Sequence, residues 1–181
     1  MNHDCCNKKT KKEGHKGGAD MFIIWVIVVT VLLLGLAVHF GMKTGATTEV
    51  ITDSQVTMSV DSDSYDWGMI DYDGGIVSKT FTINNSGNTS LQLYKVETSC
   101  MCTTAQLKTP ETTSRKYGMH DNSTDVFEVK PGETADLIVE FDPAFHGPSG
   151  VGSINRTVTI STNSSENLTL TFNLLGNVVK N

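Results

Sequence analysis

The sequence has few basic residues beyond its N-terminus and lacks the common catalytic motifs. Residues 41–181 contain nine Lys and Arg against seventeen Asp and Glu, a net charge of −8. Proteins that bind nucleic acid carry clustered positive charge, so we expect no nucleic-acid partner. There is also no Gly-rich phosphate loop, no His-Glu-x-x-His motif and no nucleophile elbow. We therefore expect a binding or structural protein and not an enzyme.

Charged residues are absent from Met21 to Phe40, a run of twenty residues. As a helix, such a run spans about 30 Å, the thickness of one bilayer core. Five Lys precede it within residues 1–20, which carry a net charge of +2, and Lys-rich flanks stay in the cytoplasm. The sequence thus predicts a cell-membrane protein with a single-pass transmembrane helix.

This pattern divides the chain into four parts with one orientation. A cytoplasmic Cys/His/Lys-rich tail (1–20) precedes the transmembrane helix (21–42), a linker (43–54) and a periplasmic or extracellular domain (55–181). A cleaved signal peptide is the alternative interpretation. Its apolar core is usually 7–15 residues long with small residues at the cleavage site, and Phe40-Gly41-Met42-Lys43 fits that poorly.

The domain after the linker reads as all-β. Short alternating or β-branched runs recur between turn residues, with no amphipathic helical pattern among them, which favours an antiparallel sandwich or barrel. The polar stretch Thr103–Thr124 is expected to be a long inserted loop. The predicted strands are 55–60, 65–70, 76–84, 91–96, 127–129, 135–141, 156–161 and 167–175. The predicted core is Val56, Met58, Trp67, Phe81, Ile83, Leu91, Leu93, Val96, Leu137, Val139, Phe141, Val158, Ile160, Leu168, Leu170 and Phe172.

Several elements in order resemble a known bacterial family. They are Trp67-Gly68, a strand ending in Asn85-Ser86-Gly87, the segment 99–103 (Ser-Cys-Met-Cys-Thr), and a Pro-Gly turn before a strand ending in Phe141-Asp142-Pro143. The chain resembles the domain of unknown function family 1573, related to the ASH/Hydin and major-sperm-protein immunoglobulin-like domains. The resemblance covers roughly residues 55–178 and implies an exported immunoglobulin-like β-sandwich with no established reaction. Met101, where the family usually carries Gly, and the insertion depart from the family pattern.

The chain has four cysteines, and the predicted membrane separates them into two pairs. Cys100 and Cys102 share one face if the strand is extended, with Cα atoms about 6.6 Å apart. Two sulfurs on one face form half of a site for a soft metal, Cu(I) or Zn(II). Met119, His120 and His146 could complete it, and the combination of Cys, Met and His favours copper.

Two other states of this pair remain open. Exported cysteine pairs are commonly oxidised, so a local disulfide or redox pair is the main alternative; free structural thiols are the third. A thiol enzyme is the weakest reading, because the familiar redox spacing Cys-x-x-Cys on a helix is absent. The chain is therefore either a copper-handling binding module, or a structural domain with a local disulfide that docks to an envelope protein partner without metal.

The N-terminal tail contains a second group of soft ligands. Cys5 and Cys6 lie close to His3, with His15 further along. In a reducing compartment these thiols stay available, so a second metal site is one interpretation. Palmitoylation of a juxtamembrane cysteine is the other, although fourteen residues separate Cys6 from the apolar run.

Overall fold

The structure, a computed structural model, describes residues 18–41 and 50–180. The chain divides into two compact units, residues 1–46 and 47–181. In the first unit, helix α1 runs from Gly18 to Gly41, since its apolar run contains no proline to interrupt the backbone hydrogen bonds. A helix at the predicted position is thus confirmed, and its membrane-spanning character stays a prediction. Side chains are described for residues 21–36 of it, and no helix in the described part of the chain is long and apolar enough to cross a membrane.

The second unit is a two-sheet β-sandwich. Its described residues form nine strands: β1 (Met58–Val60), β2 (Ser64–Asp71), β3 (Val77–Asn85), β4 (Leu91–Thr98), β5 (Thr103–Lys108), β6 (Val126–Val129), β7 (Thr134–Phe141), β8 (Gly152–Thr162) and β9 (Thr169–Val179). One sheet has the order β1-β3-β7-β5 and the other β2-β9-β8-β4-β6. The predicted β-sandwich is confirmed, and each of the eight predicted strands overlaps an observed one.

One pairing in this unit departs from the antiparallel pattern that was expected. Strand β2 runs parallel to β9, with Ser64 opposite Asn173 and Asp71 opposite Val179. The chain leaves β1 in the four-stranded sheet and crosses to the edge of the other sheet, where it lies beside its own last strand. Gly68 takes a φ of +67° at the irregularity in β2, a backbone conformation that glycine adopts without steric cost.

The core lies between the two sheets and is formed by alternate residues of the strands. Phe81 and Phe172 are 0% and 1% exposed, with ring centroids 4.9 Å apart. Burying a side chain of this size stabilises the fold by about 1.5–3 kcal/mol. Most of the predicted core is confirmed. Leu168 is the exception: it was expected inside but is 54% exposed, because it precedes β9 in the turn after β8.

The prediction of one long polar loop over 103–124 is wrong for its first six residues. They form β5, which pairs with β7 from Thr103 opposite Phe141 to Lys108 opposite Asp136. Ala105 and Leu107 are completely buried on its inner side. Short strands rich in Thr and Gln resemble loops in composition, and only the pairing with β7 distinguishes them.

Candidate redox and metal site

Cys100 and Cys102 lie in the turn between β4 and β5, where the chain crosses from one sheet to the other. The Thr103 amide donates to the carbonyl oxygen of Cys100 at 3.1 Å and closes the turn. The two cysteines form a disulfide with Cα atoms 5.2 Å apart. The extended geometry expected for them is therefore wrong, because the chain must reverse here to reach the second sheet. The disulfide alternative is the one observed.

Hydrogen bonds hold this turn independently of the sulfurs. The buried hydroxyl of Thr98 lies 3.0 Å from the carbonyl oxygens of Cys100 and Thr103, and can donate to one at a time. The Asp142 amide donates to the carbonyl oxygen of Cys102 at 2.9 Å. The turn is thus held by backbone and hydroxyl hydrogen bonds as well as by its internal disulfide, and the Asp142 amide ties it to the end of β7.

The loop after β7 brings His146 to the first sulfur. Its Nε2 lies 3.2 Å from the Sγ of Cys100, and the side chain is exposed. A disulfide sulfur carries no proton, so this contact is a hydrogen bond when Nε2 is protonated. The ring of Phe145 meets the imidazole edge-on at 5.1 Å, and the Ser149 hydroxyl donates to the His146 carbonyl oxygen at 2.8 Å. These contacts orient the imidazole.

Strand β8 supplies a cation to the second sulfur. The Nε of Arg156 donates to the Sγ of Cys102 at 3.2 Å, and its Nη1 donates to the carbonyl oxygen of Asn155 at 3.0 Å. Its guanidinium also lies 5.8 Å from the ring centroid of Phe141. The backbone amide of Cys102 donates to the Cys100 Sγ at 3.2 Å. The two sulfurs thus have different nitrogen neighbours, an imidazole and a neutral amide on Cys100 and a charged guanidinium on Cys102.

Arg156 was absent from the predicted site. The signal that could have revealed it is the register between β4 and β8, in which Thr98 lies opposite Val158. Continuing that antiparallel register by two residues brings Arg156 opposite Cys100. Both strands were predicted, but alternation within a strand contains no information on its register with another.

Three of the five predicted metal ligands come together. The Sγ atoms of Cys100 and Cys102 and a ring nitrogen of His146 all lie within 4.8 Å of one another. Their exposure differs: Cys102 is 4% exposed, Cys100 is half-buried and His146 is exposed. Metal binding requires deprotonated thiols, which the disulfide does not offer. The group can therefore hold a soft metal after reduction, and forms a closed sulfur pair in the oxidised protein.

The other two predicted ligands lie on the segment 109–125. His120 has a φ of +60° there and is not part of the described Cys–His group. Arg115 organises this segment through ion pairs with Asp121 at 2.5 Å and Asp125 at 2.9 Å. The structure therefore groups His146, and not His120, with the sulfurs. Met119, the neighbour of His120 in the chain, stays a prediction.

Charges on this segment shift its titrating groups. The hydrogen bonds from the Arg115 guanidinium hold the pKa values of Asp121 and Asp125 below the ordinary carboxyl range. Burial raises the pKa of Tyr117, because removal from water disfavours the charged phenolate. The amide and carbonyl of Tyr117 both pair with Ala105, so this segment covers part of the outer edge of β5.

A cavity of about 250 Å³ lies beside the disulfide. Its apolar wall includes Ile76, Met101 and Phe145, which are 63%, 66% and 47% exposed. Its polar wall includes the ion pair between Lys116 and Glu140, 2.5 Å apart. The disulfide thus borders an accessible surface with both apolar and charged character.

The fold and this site can be compared with known proteins. The chain belongs to the HYDIN/CFA65/VesB-like family of immunoglobulin-like domains, whose sequence profile matches residues 56–174. The expected relation to Hydin-type domains is confirmed, and the narrower resemblance to the domain of unknown function family 1573 stays a prediction. No curated protein matches the chain.

Several solved structures are similar to this chain. A protein of unknown function from Porphyromonas gingivalis W83 superposes with a TM-score of 0.52 at 23% identity, over 73% of this chain and 50% of that chain. The ASH/PapD-like domain 7 of human CEP192 gives 0.45 at 13% identity, over 76% and 96% of the two chains. The secreted serine protease VesC of Vibrio cholerae gives 0.43 at 15% identity, over 70% and 24%. The match therefore spans half the length of the Porphyromonas protein.

The second predicted ligand group lies outside the described residues. Cys5, Cys6, His3 and His15 all precede residue 18, where the description begins. The interpretation of the tail as a metal site or a lipidation site stays a prediction. The structural account of cysteine chemistry therefore rests on Cys100 and Cys102.

Proposed function

We propose that this protein is a binding module that takes up a soft metal ion, Cu(I), when its disulfide is reduced, and so serves in metal handling. The observation that carries the proposal is the 3.2 Å approach of the His146 Nε2 to the Cys100 Sγ, with the sulfur of Cys102 in the same group. Two thiolates and an imidazole form a ligand set suited to Cu(I).

The charge balance of the site favours a monovalent metal. Reduction by a thiol reductant adds two electrons and two protons to the sulfur pair, and metal binding then releases the protons. Two thiolates around one Cu(I) carry a net charge of −1. The guanidinium of Arg156, 3.2 Å from the Cys102 sulfur, offsets that charge. A divalent ion would instead leave an excess positive charge beside a buried residue, which is costly.

Copper stoichiometry in the full chain tests the proposal. The chain is prepared in detergent, with Cys5→Ser and Cys6→Ser so that the tail contributes no thiols, then reduced, loaded with Cu(I) under argon and desalted. We expect about one copper per chain, the capacity of one three-ligand site. Replacing Cys100 and Cys102 together by Ser should abolish retention. Full retention of copper in that double variant would refute the site.

Two histidine variants separate this ligand set from the one that the sequence suggested. His146→Gln should weaken Cu(I) retention in competition with a chromogenic chelator. His120→Gln is the matched control, an exposed histidine outside the Cys–His group, and should leave retention unchanged. Equal loss in both variants, or loss only in His120→Gln, would contradict the assignment of His146.

We also propose that residues 21–42 anchor the protein in the cell membrane, with the tail cytoplasmic and the sandwich periplasmic or extracellular. Support comes from the twenty uncharged residues and the Lys-rich N-terminal flank of the sequence. Alkaline carbonate should leave the chain in the membrane pellet, and deletion of residues 21–40 should release it. Extraction of the intact chain by carbonate would contradict the anchor.

A structural or protein-docking role without metal is the second candidate. It is favoured by the observed disulfide and by the exposed side chains of Ile76, Met101 and Phe145 beside it. Such a role predicts that an envelope partner co-purifies with the protein whether or not Cys100 and Cys102 are replaced. It also predicts no copper retention in the reduced chain, which separates it from the first candidate.

A further inference from the structure

The two sulfurs of the disulfide occupy unequal environments. Cys100 is half-buried and faces the exposed His146, whereas Cys102 is 4% exposed and faces Arg156. A thiolate that attacks a disulfide must reach one sulfur while the other departs as a thiolate. Access and the stabilisation of the departing charge therefore decide which sulfur is attacked.

We infer that the Cys100–Cys102 disulfide is a thiol–disulfide exchange site in which Cys100 forms the mixed disulfide and Cys102 is the leaving thiolate. The incoming thiol loses its proton to water, and its sulfur bonds to the Cys100 Sγ. The bond between the two cysteine sulfurs breaks, and its electron pair goes to the Cys102 Sγ. A second thiol, which also loses its proton to water, then attacks the incoming sulfur, and the electron pair of the mixed disulfide goes to the Cys100 Sγ. Both cysteines take up protons from water, and the two incoming thiols are joined as a disulfide.

Arg156 gives the exchange its direction. Its Nε donates to the Cys102 Sγ at 3.2 Å, so the guanidinium already touches the atom on which negative charge develops. A hydrogen bond to a charged acceptor is roughly twice as strong as one to a neutral acceptor. The interaction therefore strengthens as the thiolate forms, which is the condition for accelerating the step.

His146 serves the other sulfur. Its Nε2 lies 3.2 Å from the Cys100 Sγ, within reach of a thiol that approaches that atom. The turn itself stays in place while the sulfurs exchange, because the amides of Thr103 and Asp142 and the hydroxyl of Thr98 hold its backbone.

Mapping of the trapped intermediate tests the polarity of the exchange, that is, which cysteine forms the mixed disulfide. The full chain with Cys5→Ser and Cys6→Ser is oxidised, mixed with glutathione, and quenched with acid and then iodoacetamide. Tandem mass spectrometry of the peptide 96–108 reads the two cysteines separately, because Met101 lies between them. We expect glutathione on Cys100 and the alkyl group on Cys102. The reverse pattern, or equal amounts of both, would overturn the assignment.

Kinetics test the two positioning contacts. Arg156→Gln should slow reduction by glutathione about tenfold, the effect of losing one charge-assisted hydrogen bond. Arg156→Lys keeps the charge, so its rate of reduction should fall by less. Arg115→Gln is the matched control, because Arg115 pairs with Asp121 and Asp125 and not with a sulfur. His146→Gln should also slow reduction, because the imidazole 3.2 Å from the Cys100 Sγ no longer guides the incoming thiol to that atom. Wild-type rates in Arg156→Gln would refute the role of the guanidinium.

This inference goes beyond metal binding and fails separately from it. The exchange needs no copper, and the mapping uses the oxidised chain. Loss of copper retention with normal polarity would remove only the metal proposal. Glutathione on Cys102 with normal copper retention would remove only the exchange proposal.

Discussion

Reduction of the disulfide should cost the sandwich little stability, although the cysteines lie at the junction of its two sheets. The disulfide closes a loop of three residues, 100–102. In the chain-entropy description, a loop that short stabilises the folded state by roughly 1.6 kcal/mol. The unfolding entropy of a domain of about 130 residues converts this into a fall in Tm of about 6 °C. The reduced protein should therefore remain folded, as both proposals require.

The contacts of the turn support that small value. Removing the bond between the sulfurs leaves the amide of Thr103 on the carbonyl of Cys100 and the amide of Asp142 on the carbonyl of Cys102. For comparison, Leu107→Ala in the adjacent β5 empties a position that is 0% exposed. That substitution should cost about 3 kcal/mol, roughly twice the effect of reduction.

Thermal unfolding of the full chain in detergent, followed by near-ultraviolet circular dichroism, measures both effects. Samples with and without dithiothreitol are compared, with Cys5→Ser and Cys6→Ser in each, and free thiols are counted before heating. We expect one cooperative transition in both states and a larger shift for Leu107→Ala than for reduction. Loss of the cooperative transition on reduction would show that the disulfide is a structural requirement, and would refute the reasoning behind a functional dithiol state.

Three further predictions concern stability and titration. The side chain of Asn85 is fully buried, and its Nδ2 donates to the carbonyl oxygens of Thr89 and Val129, each at 2.9 Å. Asn85→Ala leaves both carbonyl oxygens without this partner, so the free energy of unfolding measured in urea should fall by about 3 kcal/mol. The hydrogen bond from Arg115 lowers the pKa of Asp121. The ion pair therefore stabilises the folded state fully above the ordinary carboxyl pKa, and this stabilisation is lost as the pH falls through the lowered pKa. Arg115→Gln should therefore shift the urea midpoint at pH 6 but not at about pH 2, and equal shifts at both would contradict this. Burial raises the pKa of Tyr117. Tyr117→Phe should therefore remove from the absorbance titration at 295 nm a phenol that ionises above the usual range. An unchanged titration curve would contradict this.

Much of the sandwich could be predicted because strand formation leaves a local signature. The runs around Phe81, Leu93 and Val139 alternate apolar and polar residues, and each of these three side chains is buried as expected. Strand β5 was missed because its apolar members, Ala105 and Leu107, are separated by polar residues that occur equally often in loops. Its inner side is defined by the pairing with β7, in which Thr103 lies opposite Phe141 and Lys108 opposite Asp136.

The departures share a cause. Leu168 continues the alternation of β9 in sequence, yet it is 54% exposed, because the strand begins at Thr169 and the preceding turn faces solvent. The parallel alignment of β2 with β9 depends on a crossover between sheets, and no pattern within either segment specifies it. Alternation predicts that a segment is a strand, whereas the neighbour and the direction of that strand depend on the whole sandwich.

By itself, the sequence determined that the second unit is a β-sandwich, that an apolar helix precedes it, and that two cysteines are separated by a single residue. These properties depend on residues close together in the chain. The tertiary structure alone decided the chemistry of the sulfurs. The turn between sheets brought them together as a disulfide, the loop after β7 placed His146 on Cys100 across 46 residues, and β8 placed Arg156 on Cys102 across 54. Contacts over such separations follow from strand register and loop paths, which form only when both sheets pack around a common core.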